Sequence, residues 1–311
     1  MTTVYFIIPS EDFLPSPTLL DQIAKSDVAM QTIVHTGRLA DLEQLRTDAS
    51  EKILAIDPDF CNWDLDTEAL DSIPNIQAIC LSTASFDYAK PDEVRRLGIP
   101  LINVPGFNAD SVAEYALCMA IETARRLPMV IKNEWKPVGV TEPFLLRGKT
   151  AGVVGLGRVG TRIAEVLKGI GMEVVYWSRS SQDDRFSRLT LPDVFSAADL
   201  VIPALAVNEE TKQLITHEIL DSMKSNAIMV GINRVRELWD EDYVIQKVEA
   251  GELGGYSYEG AEDGPVSKHT GNVWVLPHIS WMTKDSMENL ERIWTENILS
   301  VLNGTPQNLV G

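Results

Sequence analysis

Cysteine, histidine and positive charge are all scarce in this chain, and each scarcity narrows what the protein can do. Its 311 residues hold 27 Lys and Arg against 45 Asp and Glu, a formal net charge of −18. A surface of this sign repels nucleic acid backbones and anionic lipids, so neither nucleic acid nor a membrane is expected as a partner. An anionic substrate would need a local cationic site to overcome this field.

The three cysteines, Cys61, Cys80 and Cys118, stand far apart and form no C-x-x-C pair. Such usage predicts buried thiols in a reducing compartment, and we therefore expect a cytoplasmic protein. The apolar run Val4–Ile8 has only the length of a strand and follows no basic residue, so it does not resemble a signal peptide. No run approaches the length of a membrane span.

The most informative stretch is residues 149–179, where a glycine motif stands between predicted regular elements. Ala151–Val154 predicts a buried strand, Thr161–Gly169 has apolar residues at helical spacing, and Glu173–Trp177 predicts a second strand. The glycines of the G-x-G-x-x-G turn are Gly155, Gly157 and Gly160, with Leu156, Arg158 and Val159 between them. This strand–turn–helix–strand order predicts a dinucleotide-binding turn.

Each glycine of the motif has a separate task. Gly155 allows the tight turn, Gly157 lets the backbone approach a pyrophosphate, and Gly160 lets the helix pack on the strand. The pyrophosphate is then held by amides at the helix N-terminus and by the positive end of the helix dipole.

The residues after the second strand predict which dinucleotide binds. An NAD site usually has Asp or Glu here, whereas this chain has Ser178, Arg179 and Ser180. Hydroxyls and a guanidinium can bind a 2′-phosphate that a carboxylate would repel, so we expect NADP(H) to be preferred over NAD(H). Asp183 or Asp184 could still reach the ribose, which leaves NAD(H) as the second option.

Short apolar runs alternate with helical patterns along the chain, which predicts an α/β protein. We expect two doubly wound, Rossmann-like or flavodoxin-like domains with parallel sheets. Residues 1–102 plus 281–311 would form the substrate domain, and residues 103–280 the dinucleotide-binding domain. A substrate cleft between them is expected, because ligands bind beyond the carboxyl ends of parallel strands.

Eight further apolar runs have the length of buried strands. They are Val4–Ile8, Gln31–Val34, Ile53–Ile56, Ile76–Leu81, Leu101–Val104, Leu200–Ala204, Ala227–Ile232 and Val273–Leu276. Ser111–Glu114 has the pattern of a capping box, which predicts a helix from there to about Arg126. A long final helix is predicted over Thr283–Leu302.

Two side chains follow predicted strands of the second domain and could perform chemistry. Arg234 follows Ala227–Ile232, and His278 follows Val273–Leu276. A guanidinium can hold a carboxylate with two hydrogen bonds, and an imidazolium can donate a proton to a carbonyl oxygen as hydride reaches the carbon. A nearby carboxylate would stabilise the imidazolium. The other histidines lack metal-ligand spacing, so no metal is expected. They are His35, His217 and His269.

Four segments together resemble the D-2-hydroxyacid dehydrogenase family over nearly the whole chain. They are residues 98–108 leading into Val112–Glu114, the glycine block, Ile228–Arg234 and Val273–His278. The Ser-Arg pair after the second strand resembles the NADPH-dependent glyoxylate/hydroxypyruvate reductase branch. Because the family usually dimerises through its cofactor domain, the resemblance also implies a homodimer with the Ser111–Arg126 helix near the interface.

The resemblance implies roles for matching residues. Arg234 would bind the substrate and His278 would donate the proton, while Glu259 would contact the nicotinamide amide. Ser85 replaces a usual glycine in the loop whose amides would hold the substrate carboxylate. That loop consists of Thr83, Ala84, Ser85 and Phe86. The remaining predicted cofactor contacts are Ala206, Thr211 and Ile232.

Two segments depart from the family's pattern. The substrate arginine is usually followed by glycine, whereas valine follows Arg234 here, and Arg236 lies close enough to compete for its role. The catalytic Glu of the family precedes a proline, whereas the matching pair here is Gly264-Pro265. Glu262 is the predicted replacement, with Asp263 as the alternative.

The sequence therefore predicts an oxidoreductase that transfers hydride from NADP(H) to a small anionic 2-oxo acid. A second hypothesis follows from the two departures: an NADP(H)-binding sensor on the same scaffold with weakened chemistry. Dehydrogenation of formate or phosphite would share the fold, but no residue in the sequence points to it.

Overall fold

Two compact units make up the chain, Met1–Phe107 with Lys284–Gly311, and Asn108–Thr283. The computed structural model describes residues 1–132, 134, 142–232, 236–260 and 269–310. Each unit contains a parallel sheet flanked by helices, which confirms the predicted α/β fold class. Among the described helices, none is both long and apolar enough to cross a membrane.

The first unit is built on a sheet with the strand order β2-β1-β3-β4-β5. Its strands are β1 (Thr3–Ile8), β2 (Ala29–Val34), β3 (Lys52–Ile56), β4 (Ile76–Leu81) and β5 (Leu101–Ile102). The helices between them are α1 (Pro17–Ala24), α2 (Glu43–Thr47) and α3 (Pro91–Arg96). Every residue of β1 and β3 is buried, as expected for strands covered on both faces.

The second unit has the strand order β12-β11-β10-β9-β6-β7-β8. Its elements are α4 (Ala109–Ala124), α5 (Leu127–Ile131), β6 (Thr150–Val154), α6 (Arg158–Gly169), β7 (Glu173–Trp177), β8 (Ser187–Arg188), α7 (Leu191–Ala197), β9 (Leu200–Pro203), α8 (His217–Asp221), β10 (Ile228–Gly231), α9 (Glu241–Glu249), β11 (Gly255–Glu259) and β12 (Val273–Leu276). The chain order reverses between β6 and β9, so the glycine turn after β6 lies at the switch point where doubly wound sheets bind ligands.

The final helix α10 (Lys284–Leu302) packs on the first sheet. The Trp294 ring meets Phe6 edge to face at 5.5 Å, and its Nε1 donates to the Cys80 carbonyl at 3.0 Å. Asn297 Nδ2 donates to the Asn103 carbonyl at 2.8 Å. These contacts explain why the end of the chain belongs to the same unit as its beginning.

The predicted capping box at the start of α4 is wrong. The helix begins at Ala109 after the N-cap Asn108, so Ser111 lies inside its first turn. The Ser111 hydroxyl instead donates to the Ser280 carbonyl at 2.6 Å. A local pattern was outweighed here by a partner distant in sequence, and the helix also ends at Ala124, before the predicted Arg126.

Strand β11 is absent from the sequence predictions although all five of its residues are buried. Its sequence, Gly-Tyr-Ser-Tyr-Glu, is not an apolar run, because Ser257 and Glu259 occupy interior positions. The Ser257 hydroxyl bonds to that of Thr123 on α4, so its burial is compensated by a distant partner.

Candidate functional site

The turn between β6 and α6 has a shape that only glycine permits at two positions. Gly155 has a φ of +96°, and a Cβ placed there would lie 2.7 Å from the Ala204 carbonyl oxygen. A Cβ on Gly160 would overlap the Gly155 carbonyl oxygen. The close approach of α6 to β6 therefore requires both glycines.

Gly157 differs because a Cβ there would meet no atom within 4 Å. It is the N-cap of the 12-residue helix α6 and offers no side chain to the first amides, which an α-helix leaves without intrahelical partners. A pyrophosphate fits this arrangement of amides and helix dipole. Leu156 packs into the core, while Arg158 is exposed beside the turn. The residues present therefore fit a dinucleotide.

The segment after β7 carries the residues predicted to choose between the cofactors. Ser178 is 6% exposed, and its carbonyl accepts from Arg188 of β8 at 2.8 Å. The Arg179 guanidinium is solvent-exposed and forms an ion pair with Glu210. Ser180 is exposed beside it. A bound 2′-phosphate would have to compete with the Glu210 carboxylate for Arg179.

The remaining predicted cofactor contacts are engaged within the protein. Thr211 Oγ1 donates to the Ala206 carbonyl at 2.7 Å and accepts from the Asn208 amide at 2.8 Å, which holds the loop after β9. Ile232 is 1% exposed and belongs to the core. Little of the Ile232 side chain is therefore available to a ligand.

His278 lies just past β12 and next to a buried carboxylate. Its Nδ1 is 3.3 Å from Glu259 Oε2, and its side chain is 32% exposed. Nδ1 itself is sealed from solvent and forms no hydrogen bond to the described residues. The exposed part of the ring is therefore the part away from Nδ1.

Glu259 ends β11, and its side chain has no exposed surface. Oε1 accepts from the Ser280 amide at 2.8 Å, and Oε2 accepts from the Ser280 hydroxyl at 2.9 Å. These bonds offset the cost of removing a carboxylate from water. The nicotinamide contact that the resemblance implies for Glu259 stays a prediction; in the structure its carboxylate accepts from Ser280 and lies beside His278.

Of the predicted catalytic set, the structure describes only His278. Arg234 and Glu262 lie outside the described residues, as does Asp263. Arg236, the alternative to Arg234, pairs through Nε with Glu241 Oε1 at 3.0 Å. Burial raises the pKa of the Glu241 carboxyl, and the neighbouring Arg236 guanidinium opposes that rise. Arg236 is thus already occupied by a carboxylate of its own unit.

The predicted substrate loop follows β4 in the first unit. Its backbone is held by the Asn103 amide group, which donates to the Ala84 carbonyl at 2.6 Å, and by the Val104 amide, which donates to the Thr83 carbonyl at 2.9 Å. Ser85 is exposed and lies outside the left-handed region, so a side chain is tolerated there. Phe86 packs partly against the core.

Two residues of this region were missed by the sequence analysis. Ser280 binds both oxygens of Glu259, and Arg188 holds the backbone of the turn that carries Arg179. Ser280 could have been noticed from its place two residues after His278. Arg188 offered no such signal, because β8 is only two residues long.

A family model described as "D-isomer specific 2-hydroxyacid dehydrogenase, NAD binding domain" matches residues 115–280. A glyoxylate reductase of Thermococcus kodakarensis is 29% identical, and the match covers 88% of this chain and 84% of the relative. A glyoxylate reductase of Pyrococcus furiosus is 28% identical, with 88% and 83% covered.

Solved structures resemble the entire chain. A glyoxylate reductase from Paecilomyes thermophila has a TM-score of 0.83 at 20% identity, covering 99% of this chain and 98% of that one. An acyclic imino acid reductase in complex with NADPH and D-Arg has a TM-score of 0.83 at 19% identity, with 100% of both chains covered. At these identities the likeness establishes the fold.

Proposed function

The chain belongs to the D-isomer specific 2-hydroxyacid dehydrogenase family, and from this premise we propose that it reduces a small 2-oxo acid with hydride from NADPH. It is an oxidoreductase with a nicotinamide cofactor, as the family model and the glyoxylate reductase relatives indicate. The resemblance identified from the sequence is thereby confirmed. A cofactor sensor is not favoured, because these relatives are reductases.

The observation that carries the proposal is the position of His278. Its ring is partly exposed beside a buried carboxylate, in the unit that also contains the glycine turn. A bound nicotinamide would supply hydride to the carbonyl carbon. His278 would donate a proton to the carbonyl oxygen, and Arg234 would bind the substrate carboxylate.

Oxidation of NADPH in the presence of glyoxylate, hydroxypyruvate and larger 2-oxo acids tests this proposal. We expect turnover with at least one of them, and His278→Ala should lower kcat by about 100-fold or more. Arg234→Ala should mainly raise KM for the acid. The matched control is His217→Ala, since His217 is exposed and bonded to Asp240. Absence of turnover across the panel with either cofactor would refute the proposal.

The preference for NADPH is proposed from Ser178, Arg179 and Ser180. Arg179→Ala should lower the ratio of kcat/KM for NADPH over NADH by about tenfold, the worth of a charge-assisted hydrogen bond to phosphate. Arg162→Ala is the matched control, because that exposed arginine pairs with Asp110 and Glu165. An unchanged ratio in Arg179→Ala would remove Arg179 from cofactor choice.

We also propose a homodimer formed through the face made by α4 and α5. Several large apolar side chains are exposed there, and a group of exposed apolar side chains is typical of a protein–protein interface. They are Ile121, Leu127, Val130, Ile131 and, in the following segment, Leu145. Val130→Asp should produce monomers in sedimentation, whereas Ile170→Asp, on another exposed side chain, should not. A wild-type monomer would contradict the proposal.

A cytoplasmic location is proposed from cysteine usage. Cys61 and Cys80 are buried free thiols, and burial raises their pKa values to about 11 and about 12. Such thiols are unreactive and suit a reducing compartment. The prediction of a buried thiol is wrong for Cys118, which is exposed. Fractionation of cells that express the full chain would test the location, and recovery outside the cytoplasm would contradict it.

A further inference from the structure

We propose that Glu259 is the positioning residue that orients the proton donor His278, in place of a carboxylate from the segment before Pro265. This inference rests on the proposed function, because it assigns the partner of that reaction's proton donor.

The sheet brings the two side chains together. β11 and β12 are parallel neighbours, and Glu259 pairs in register with Leu276. His278 follows two residues later, so both side chains stand at the same carboxyl edge. The family's pattern places its glutamate farther along the chain, but adjacent strands supply one here from the end of β11.

Glu259 is held in place before any ligand arrives. The Ser280 amide and hydroxyl bind one carboxylate oxygen each, and the Ser280 carbonyl accepts from Ser111 of α4. Ser280 is 2% exposed. A carboxylate with so little freedom can fix the direction of a neighbouring ring, as positioning residues of catalytic histidines do.

The Nδ1 atom of His278 lies beside this fixed carboxylate. It is buried, it forms no hydrogen bond to the described residues, and Glu259 Oε2 lies 3.3 Å from it. A buried nitrogen without a partner calls for an explanation, and catalytic hydrogen bonds are often poorly aligned without substrate. A small rotation of the ring would let Nδ1–H donate to Oε2.

In this arrangement the proton that reaches the substrate comes from Nε2 of His278. Hydride from NADPH, which is oxidised to NADP+, would add to the carbonyl carbon and break the C=O π bond. The proton would leave His278 Nε2 for the carbonyl oxygen, so that the ring becomes neutral with its remaining proton on Nδ1. Glu259 stays a carboxylate throughout, and solvent later returns a proton to Nε2. Among the described residues, Tyr115 of α4 also lies within electrostatic reach of Glu259, and the pKa of Tyr115 is raised to about 12 by burial and then by the Glu259 charge.

Nitrogen NMR of the wild-type protein tests this arrangement without turnover. The chain has 4 histidines, so His278→Gln would identify the His278 signals. In the neutral ring we expect the proton on Nδ1. In Glu259→Gln the side-chain oxygen would still accept from the Ser280 backbone N–H, and the side-chain NH2 group would face Nδ1 of His278. Nδ1 should then accept a hydrogen bond, so the proton of the neutral ring should move to Nε2. A neutral wild-type ring protonated on Nε2 would overturn the assignment.

Kinetics of matched variants supply the second readout. Glu259→Gln should lower kcat by about 100-fold or more with KM for the acid and the Kd for NADPH nearly unchanged, and Glu259→Asp should restore part of kcat. The comparison variant is Glu262→Gln; if it reproduces the loss while Glu259→Gln retains kcat, Glu262 is the partner instead. If wild type turns over no 2-oxo acid, the proposed function fails, whereas the NMR result still decides the role of Glu259.

Discussion

The glycine turn after β6 and the paired ends of β11 and β12 lie at the same edge of one sheet, yet they are built in different ways. The turn is made of backbone, and its shape demands residues without a Cβ at Gly155 and Gly160. The β11–β12 end is made of side chains, and any carboxylate that reaches His278 can serve. A site made of backbone therefore requires a fixed local sequence motif, whereas in a site made of side chains the same chemical group can come from different sequence positions.

The largest expected effect on stability and on cofactor binding comes from a substitution in the glycine turn. In Gly160→Ala the new Cβ would overlap the Gly155 carbonyl oxygen, so α6 must move away from β6. We expect a loss of about 3 kcal/mol of unfolding free energy and a loss of NADPH affinity of about 100-fold. Denaturant unfolding and fluorescence titration with NADPH would measure both.

Gly157→Ala is the matched control for that prediction. Its Cβ would meet no protein atom within 4 Å, so the unfolding free energy should stay within about 0.5 kcal/mol of wild type. The methyl group would occupy the space proposed for the pyrophosphate, and affinity for NADPH should fall by about tenfold. Equal losses of stability in the two variants would break the comparison.

Regions whose structure depends on local sequence were predicted better than regions that depend on distant side chains. Strands β4 and β7 have the predicted bounds, Ile76–Leu81 and Glu173–Trp177, because mostly apolar runs of five or six residues are typical of strands in a parallel sheet. The glycine turn was likewise predicted, since its spacing is local. These features depend on neighbours in sequence.

Features that depend on distant partners were not predicted. Strand β11 was missed because Ser257 and Glu259 are polar. The partner of Ser257 is Thr123 on α4, and the partner of Glu259 is Ser280 after β12, so neither pair is visible as a local pattern. The capping box failed for the same reason, since the Ser111 hydroxyl bonds to Ser280. No local pattern indicated that Glu259 would stand beside His278.

The next prediction tests whether the β11–β12 end depends on Ser280. Ser280→Ala removes one of two donors to Glu259, so kcat should fall by about fivefold and the unfolding free energy by about 1 to 2 kcal/mol. Ser257→Ala is the control, because it removes a buried hydroxyl from β11, the strand that carries Glu259, and leaves both donors to Glu259 in place. If both variants lose kcat equally, general loosening of β11 is responsible and Ser280 has no special role.

A smaller effect on the affinity for NADPH is expected from Glu210, because its carboxylate competes with the cofactor phosphate for Arg179. Glu210→Gln would release Arg179 from its ion pair, and exposed pairs are worth little, so the Kd for NADPH should fall by only about two- to fivefold. Glu209→Gln breaks a similar exposed pair with Lys212 and should leave the Kd unchanged. Equal effects of the two variants would indicate a change in general surface charge.

The smallest effect reports the charge of Glu259 through a neighbour. Burial, and after it the Glu259 carboxylate, raises the pKa of Tyr115 to about 12, so Tyr115 stays protonated in the folded state where the unfolded chain has lost that proton. This contribution to stability is complete below about pH 10 and is lost as pH rises through about 12. Glu259→Gln should lower the pKa of Tyr115 only in part, because burial remains, and Tyr115→Phe identifies its signal in an alkaline absorbance titration. A pKa unchanged in Glu259→Gln would mean that Glu259 carries no charge beside His278, and the side-chain-built half of the comparison would lose its basis.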